Sequence, residues 1–428
     1  MSEQAPVPMS GVRAGVLVFI AVGLSNVCSY GFHLVSARTL GPSSYGDVAT
    51  LAAVAGILTL PLAGVQVFVA RHVSGGITRG RAINDGGYVS SFCGAMLAIG
   101  AGIAVVLVVA TPLIKSVLGI ASLTAVVLAV LSVAPAFLSP ALVGVAQGLQ
   151  RFVLLSVAIA APAALRVILA AAALGAGFGV AGAMAASLVA VAAAALIPLW
   201  VLRHSLGPLG AWRPRLPRSD ALALLPVVAG MLAITCLTTD DLVAAKIAFE
   251  PHEAGLYGSA SLIGRVILYL PVAIVTVLLP HVAARASAGR DTSDLLTTSL
   301  LATGGFCLLF TAIYAALPHL IVKIAFGAKY EGSSSLLWMF GIAMTLYSLL
   351  NVILVYRLGH GETRTSWLLL GGVAVQAVLF ALFHDSAREL LAADIVTAAA
   401  LLVAATALST RAPAALPSPL PARERSAR

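Results

Sequence analysis

The stretch Ser44–Val65, SYGDVATLAAVAGILTLPLAGV, is echoed in the second half of the chain by Leu256–Val275, LYGSASLIGRVILYLPVAIV. Tyr45-Gly46 matches Tyr257-Gly258, and ILTLP ending at Pro61 matches ILYLP ending at Pro271 once one small insertion is allowed. A second echo follows in the same order: TPLIKSVLG ends at Gly119 and LPHLIVKIAFG ends at Gly327. Two echoes in one order read as a duplicated unit. Both copies lie in apolar runs of helix-spanning length, so the repeated unit is a set of membrane helices.

Composition agrees. The chain of 428 residues is 60% hydrophobic and 10% charged, with a mean hydropathy of +1.04. A soluble fold would have to hide too much apolar surface. Twelve spans can be drawn, at roughly 14–36, 46–70, 87–110, 121–147, 152–175, 178–201, 222–247, 254–280, 297–320, 334–356, 366–384 and 389–409. Each is long enough to cross a core of about 30 Å at about 1.5 Å per residue. None alternates polar and apolar as a barrel strand would. The N-terminus, MSEQAPVPMSGVRAG, runs into the first span and does not end in a signal-cleavage pattern.

Charge sets the orientation. With both termini cytoplasmic, 17 Lys and Arg fall in cytoplasmic segments and six outside (Arg38, Lys115, Lys246, Lys323, Lys329 and Arg388). That is a positive-inside bias, and it places the net charge of +9 in loops rather than in a nucleic-acid interface. The expected organisation is an N-terminal six-helix bundle (1–202), a basic cytoplasmic linker (203–221), a C-terminal six-helix bundle (222–410) and a disordered cytoplasmic tail (411–428). Six spans per repeat give the halves the same orientation, related by a pseudo-two-fold axis along the membrane normal.

Four charges interrupt the spans: Arg166, Asp240, Asp241 and Arg265. A charge at bilayer depth costs at least about 2.5–3.5 kcal/mol, which is met by pairing or by a wet cavity. They mark a polar interior. Asn26, Tyr30 and His33, spaced by four and three, share one face of span one and either line that interior or bond neighbouring helices. Gln66 and Gln147 lie toward the cytoplasmic ends of their spans, Asn351 and Tyr356 within span ten, and Asp394 near the external end of span twelve. Thr235, Thr238 and Thr239 offer hydroxyls beside the aspartates or bond their own helix. Pro61, Pro162 and Pro271 are candidate kinks. Cys28, Cys93, Cys236 and Cys307 show no metal or disulfide spacing, no phosphate-binding loop is present, and neither a cofactor nor a catalytic constellation is indicated.

Four segments carry a family resemblance. They are ARTLGPSSYGDVATLAAVAGILTLPLAGVQVFVARHVS (37–74), GLQRF (148–152), TTDDLVAAKIAFEPHEAGLYGSASLIGRVILYLPVAIVTVLLP (238–280) and FGAKYEGSSSLLWMFG (326–341). In order, and over nearly the whole chain, they resemble the polysaccharide biosynthesis membrane proteins, within the multidrug and oligosaccharidyl-lipid transporter superfamily. The resemblance implies two six-helix bundles in a V around a central cavity, and movement of a lipid-linked oligosaccharide across the cytoplasmic membrane. Twelve spans match oligosaccharide flippases and multidrug exporters, and depart from peptidoglycan-precursor flippases with two further spans.

On that resemblance, Arg166 and Arg265 are candidates to hold the diphosphate of a polyprenyl-linked sugar, Arg265 lying about 16 Å into its span. Asn26, Tyr30, Gln66, Gln147 and Asn351 are candidate substrate contacts. Asp240 and Asp241 point about 100° apart on a helix, so one is expected to pair with Arg265 while the other lines the cavity, binds a cation or takes a proton. The alternatives for the arginines are structural ion pairs. The alternatives for the whole chain are an ion-coupled exporter of drugs or small solutes, and a non-transporting scaffold that binds the glycosyltransferases or polymerase of a glycan pathway.

Overall fold

The computed structural model describes residues 11–78, 87–207, 212–269, 292–360 and 362–409. Among these residues every regular element is a helix. The first, α1 (Gly11–Thr59), has 49 residues, about 73 Å of helix and more than twice the hydrocarbon core. It therefore turns, at Gly41, whose φ of 76° and ψ of 174° are non-helical, with Pro42 restarting the helix. Predicted span one and the first part of span two are thus two arms of α1, with no intervening loop. A second break falls at Pro61, inside the short 3-10 turn Leu60–Leu62, before α2 (Ala63–Thr78).

The chain continues with α3 (Tyr88–Val109), α4 (Thr111–Val117), α5 (Leu123–Leu131), α6 (Val133–Gly148), α7 (Phe152–Gly175) and α8 (Gly179–Leu206). After the connection, α9 (Arg218–Leu237) and α10 (Asp240–Ala248) share one span, and α11 (Pro251–Gly264) and α12 (Val266–Tyr269) begin the next. The rest is α13 (Ser293–Ala316), α14 (Pro318–Ala325), a 3-10 segment Ala328–Leu336, α15 (Leu337–Gly359), α16 (Arg364–Leu382) and α17 (Ala387–Ser409). Ten stretches among the described residues are long and apolar enough to cross a membrane. The first holds predicted spans one and two. Span eight passes beyond Tyr269, so its end, with Pro271, lies outside the described residues, as does the tail 411–428.

The repeat has a physical expression. Tyr45 and Tyr257 are both fully buried. Tyr45 meets His33 at 3.3 Å, and Tyr257 donates to Asp241 at 3.1 Å. The two repeats also pack directly on each other. A Cβ on Gly255 would lie 1.9 Å from the Pro42 carbonyl oxygen, and one on Gly46 would lie 3.3 Å from the Gly255 nitrogen. Small residues let membrane helices approach this closely, so the halves meet where the quoted stretch and its echo begin. The second echo is structural too. Each copy is a short helix with proline in its first turn and lysine (Lys115 or Lys323) in its last, and the Gly119 and Gly327 that close the two copies have positive φ. The fold is two six-helix bundles in parallel pseudo-two-fold repeat.

Candidate functional site

The polar interior is built around the first arm of α1, between α7 of one half and α11 of the other. Tyr30 donates to the Leu262 carbonyl at 3.2 Å, which ties α1 to the turn that carries Arg265. On the opposite side, the Arg166 guanidinium from α7 lies over the Phe32 ring, 3.7 Å from its centroid, and its Nε donates to Ser187 Oγ at 3.0 Å. Ser187 in turn donates to the Ala183 carbonyl, which fixes the acceptor. His33 lies within Coulombic range of both Arg166 and Arg265. The two arginines therefore converge on one arm of α1 from the two halves.

Their surroundings differ. Arg265 pairs with Asp241 at 3.0 Å, and Asp241 also accepts from Tyr257 and, at 3.4 Å, from Ser261. This carboxylate is saturated. Arg166 has no carboxylate partner among the described residues. Its charge is met only by a ring face and a hydroxyl, although it sits in an apolar span.

The aspartates lie where span seven breaks. Thr238 and Thr239 leave helical geometry, and α10 starts afresh with Asp240 and Asp241 in its first turn. Helix N-termini favour negative charge, which explains how the span carries two adjacent acids. Thr235 and Thr238 spend their hydroxyls on the Met231 and Ile234 carbonyls of α9. The other half of the break is covered by Gln376 of α16, whose amide donates to the Leu237 carbonyl at 3.2 Å. The same amide lies 2.6 Å from Asp394 Oδ1, to which Tyr347 also donates at 2.6 Å. Asp394 is fully buried. Asp240 Oδ1, Asp394 Oδ2 and Gln376 Oε1 are buried without a partner among the described residues, and Asp394 feels the charges of Asp240, Asp241 and Arg265.

The remaining sequence candidates fall elsewhere. Gln66 donates to Gln147 at 2.9 Å, so these two bond α2 to α6. Asn26 is exposed on the first arm of α1, and Asn351 is half-buried on α15. Tyr356 bonds Thr292 at 2.8 Å. Sequence reasoning missed one buried ion pair: Lys246 of α10 meets Asp47 of α1 at 2.7 Å, and both side chains are below one-tenth exposed. Lys246 is thus inside the bundle rather than in a loop. Opposite charges near the ends of spans two and seven were the available signal.

A family model described as polysaccharide biosynthesis protein matches residues 12–284. Among solved structures, the inward closed conformation of the lipid II flippase MurJ superposes with a TM-score of 0.73 at 13% identity, covering 92% of this chain and 88% of that one. An inward-facing multidrug resistance MATE family transporter of the MOP superfamily gives 0.69 at 17%, covering 93% and 100%. A MOP superfamily transporter from Pyrococcus furiosus gives 0.64 at 16%, covering 93% and 94%. No curated protein sequence matches significantly. At such identities the structural likeness establishes the fold, and the family match rests on the sequence itself. With a transporter fold along nearly its whole length and that match over more than half of it, the chain belongs to the polysaccharide biosynthesis protein family.

Proposed function

We propose that this protein moves an anionic lipid-linked saccharide across the cytoplasmic membrane by alternating access between halves 1–202 and 222–410, joined by the linker 203–221. One observation carries the reading: Arg166 is a membrane-interior cation without a carboxylate partner among the described residues, held flat by Phe32 and Ser187. A guanidinium so placed keeps its forked donors for a planar or tetrahedral oxyanion. The diphosphate of a polyprenyl carrier supplies the missing charge, and its tail stays in the bilayer. Arg265, already paired to Asp241, contributes field and orientation. The structural likeness to a lipid II flippase supports this substrate class.

The Asp47–Lys246 pair and the Gly46–Gly255 contact hold the halves together at the end of the bundle that positive-inside charge assigns to the exterior. Breaking them is the outward-opening step. Energy for the cycle enters through the acids of the second half: Asp240 and Asp394 carry buried oxygens without partners among the described residues, a cost that a bound proton or cation relieves. The same acids favour the second reading, an ion-coupled exporter of organic solutes.

Proteoliposome transport separates the two. A polyprenyl-diphosphate oligosaccharide and a cationic dye are compared, with and without a proton or sodium gradient. Movement of the lipid-linked sugar supports the proposal. Dye transport without it establishes the exporter. Failure of both, with folded protein that captures glycan-assembly enzymes, fits the scaffold.

A further inference from the structure

The two short helices of the second echo, α4 and α14, each present an exposed aliphatic pair, one residue out of register when Lys115 is set on Lys323. In α4, Leu113 and Val117 are 66% and 51% exposed. In α14, Leu320 and Ile324 are 51% and 65% exposed. Each pair is spaced by four, so each forms one stripe along its helix. Beside the stripe runs a polar flank, Ser116 in α4 and Lys323 in α14, both exposed. The opposite faces are packed inward through Thr111 and Leu118 in one copy and Val322 and Phe326 in the other.

Their place in the fold says what covers them. Each follows a span whose length matches the hydrocarbon core. The helix α3 has 22 residues, about 33 Å, and α13 has 24, about 36 Å, against a core of about 30 Å. The chain therefore leaves the core near Ala110 and Leu317, and α4 and α14 lie at headgroup depth before it re-enters at Leu123 and Leu337. A helix there with an aliphatic stripe and a polar or cationic flank suits an interfacial position. The stripe reaches the acyl boundary, and Lys323 reaches lipid phosphate. A short helix with an exposed aliphatic pair and a polar flank thus follows one span in each half, with the cation on the flank in α14 alone.

From this geometry we infer that α4 and α14 are a pair of interfacial anchors, one per bundle, that dock on the phospholipids of the leaflet at the Lys115 and Lys323 end. On the orientation proposed above, that is the outer leaflet. The anchors hold the rim of each half at fixed depth in the membrane while the halves exchange access.

Spin-label depth measurement tests the inference. Single labels at Leu113, Val117, Leu320 and Ile324, and at Ser116 and Lys323, are placed in full-length protein with its four cysteines replaced by alanine, in phospholipid nanodiscs. Gel filtration and transport activity establish that each labelled protein is intact. The first four labels are expected to be more accessible to oxygen than to a water-soluble nickel chelate, and the last two to show the reverse. Lys323→Glu is expected to move the Leu320 label toward water in anionic nanodiscs and to leave it in place in zwitterionic ones. Six labels all preferring the nickel chelate would overturn the proposal, because the helices would then stand in water. Labels shielded from both reagents would also overturn it, because a protein partner or second copy would cover the stripe. A Leu320 label unmoved by Lys323→Glu in anionic lipid contradicts the phosphate contact.

Discussion

Arg166 and Arg265 look alike in sequence, each a lone arginine in an apolar span, and only their neighbours divide them. Arg265 meets Asp241 at 3.0 Å, whereas Arg166 meets an aromatic face and a serine. The sequence showed that Asp240 and Asp241 diverge, but which one takes Arg265 depends on the break at Thr238–Thr239, and no local pattern specifies that. Charge-assisted hydrogen bonds are worth about 1.5–3 kcal/mol. Replacing Arg166 with glutamine should therefore lower transport roughly 10- to 100-fold with unchanged thermal stability, while Arg166→Lys retains a larger share because the charge remains. Initial rates and melting curves on the same preparation check this. The paired arginine behaves oppositely. Asp241→Asn alone leaves a cation stranded, at a cost of about 3–5 kcal/mol. Asp241→Asn with Arg265→Met should unfold less readily than Asp241→Asn by itself, as a double-mutant cycle of melting temperatures would show.

At the scale of elements, apolar length was the legible signal. Helix α7 occupies 152–175, as the run of apolar residues predicts. What length could not show is where a span bends or breaks. Gly41 turns α1 without a loop, and the threonine pair divides span seven so that two acids can sit at a helix start. The side chain of Gln376, invisible as a candidate because nothing near it in sequence is polar, covers the broken end through the Leu237 carbonyl. The close approach of α1 and α11 yields a sharp expectation. Gly255→Ala places a methyl group 1.9 Å from a backbone oxygen of Pro42, whereas a Cβ on Gly305 meets nothing within 4 Å among the described residues. The first substitution should lower the melting temperature and the yield of monodisperse protein. Gly305→Ala should leave both unchanged.

For the whole molecule, the duplicated motif carried the architecture. A repeat of six spans forces two bundles of like orientation, and the two copies of the motif meet face to face at Gly46 and Gly255. The site between bundles was only half legible, because contacts between distant segments leave no trace in local periodicity. The Asp47–Lys246 pair is the clearest case, joining residues that look like ordinary span ends. Its removal by Lys246→Met should shift the balance toward the outward-open form. Distances between spin labels on the two halves would lengthen at that end and shorten at the other. An unchanged distribution would mean that the pair serves stability alone.

On the proposed function, Arg166 holds the phosphate of a lipid-linked sugar. The most direct test compares wild type and Arg166→Gln in proteoliposomes, each offered the same oligosaccharide on a polyprenyl diphosphate and on an uncharged polyprenyl ether. Wild type should translocate the diphosphate form at least tenfold faster than the uncharged form, and Arg166→Gln should lose that preference. Equal preference in the two proteins would contradict the account.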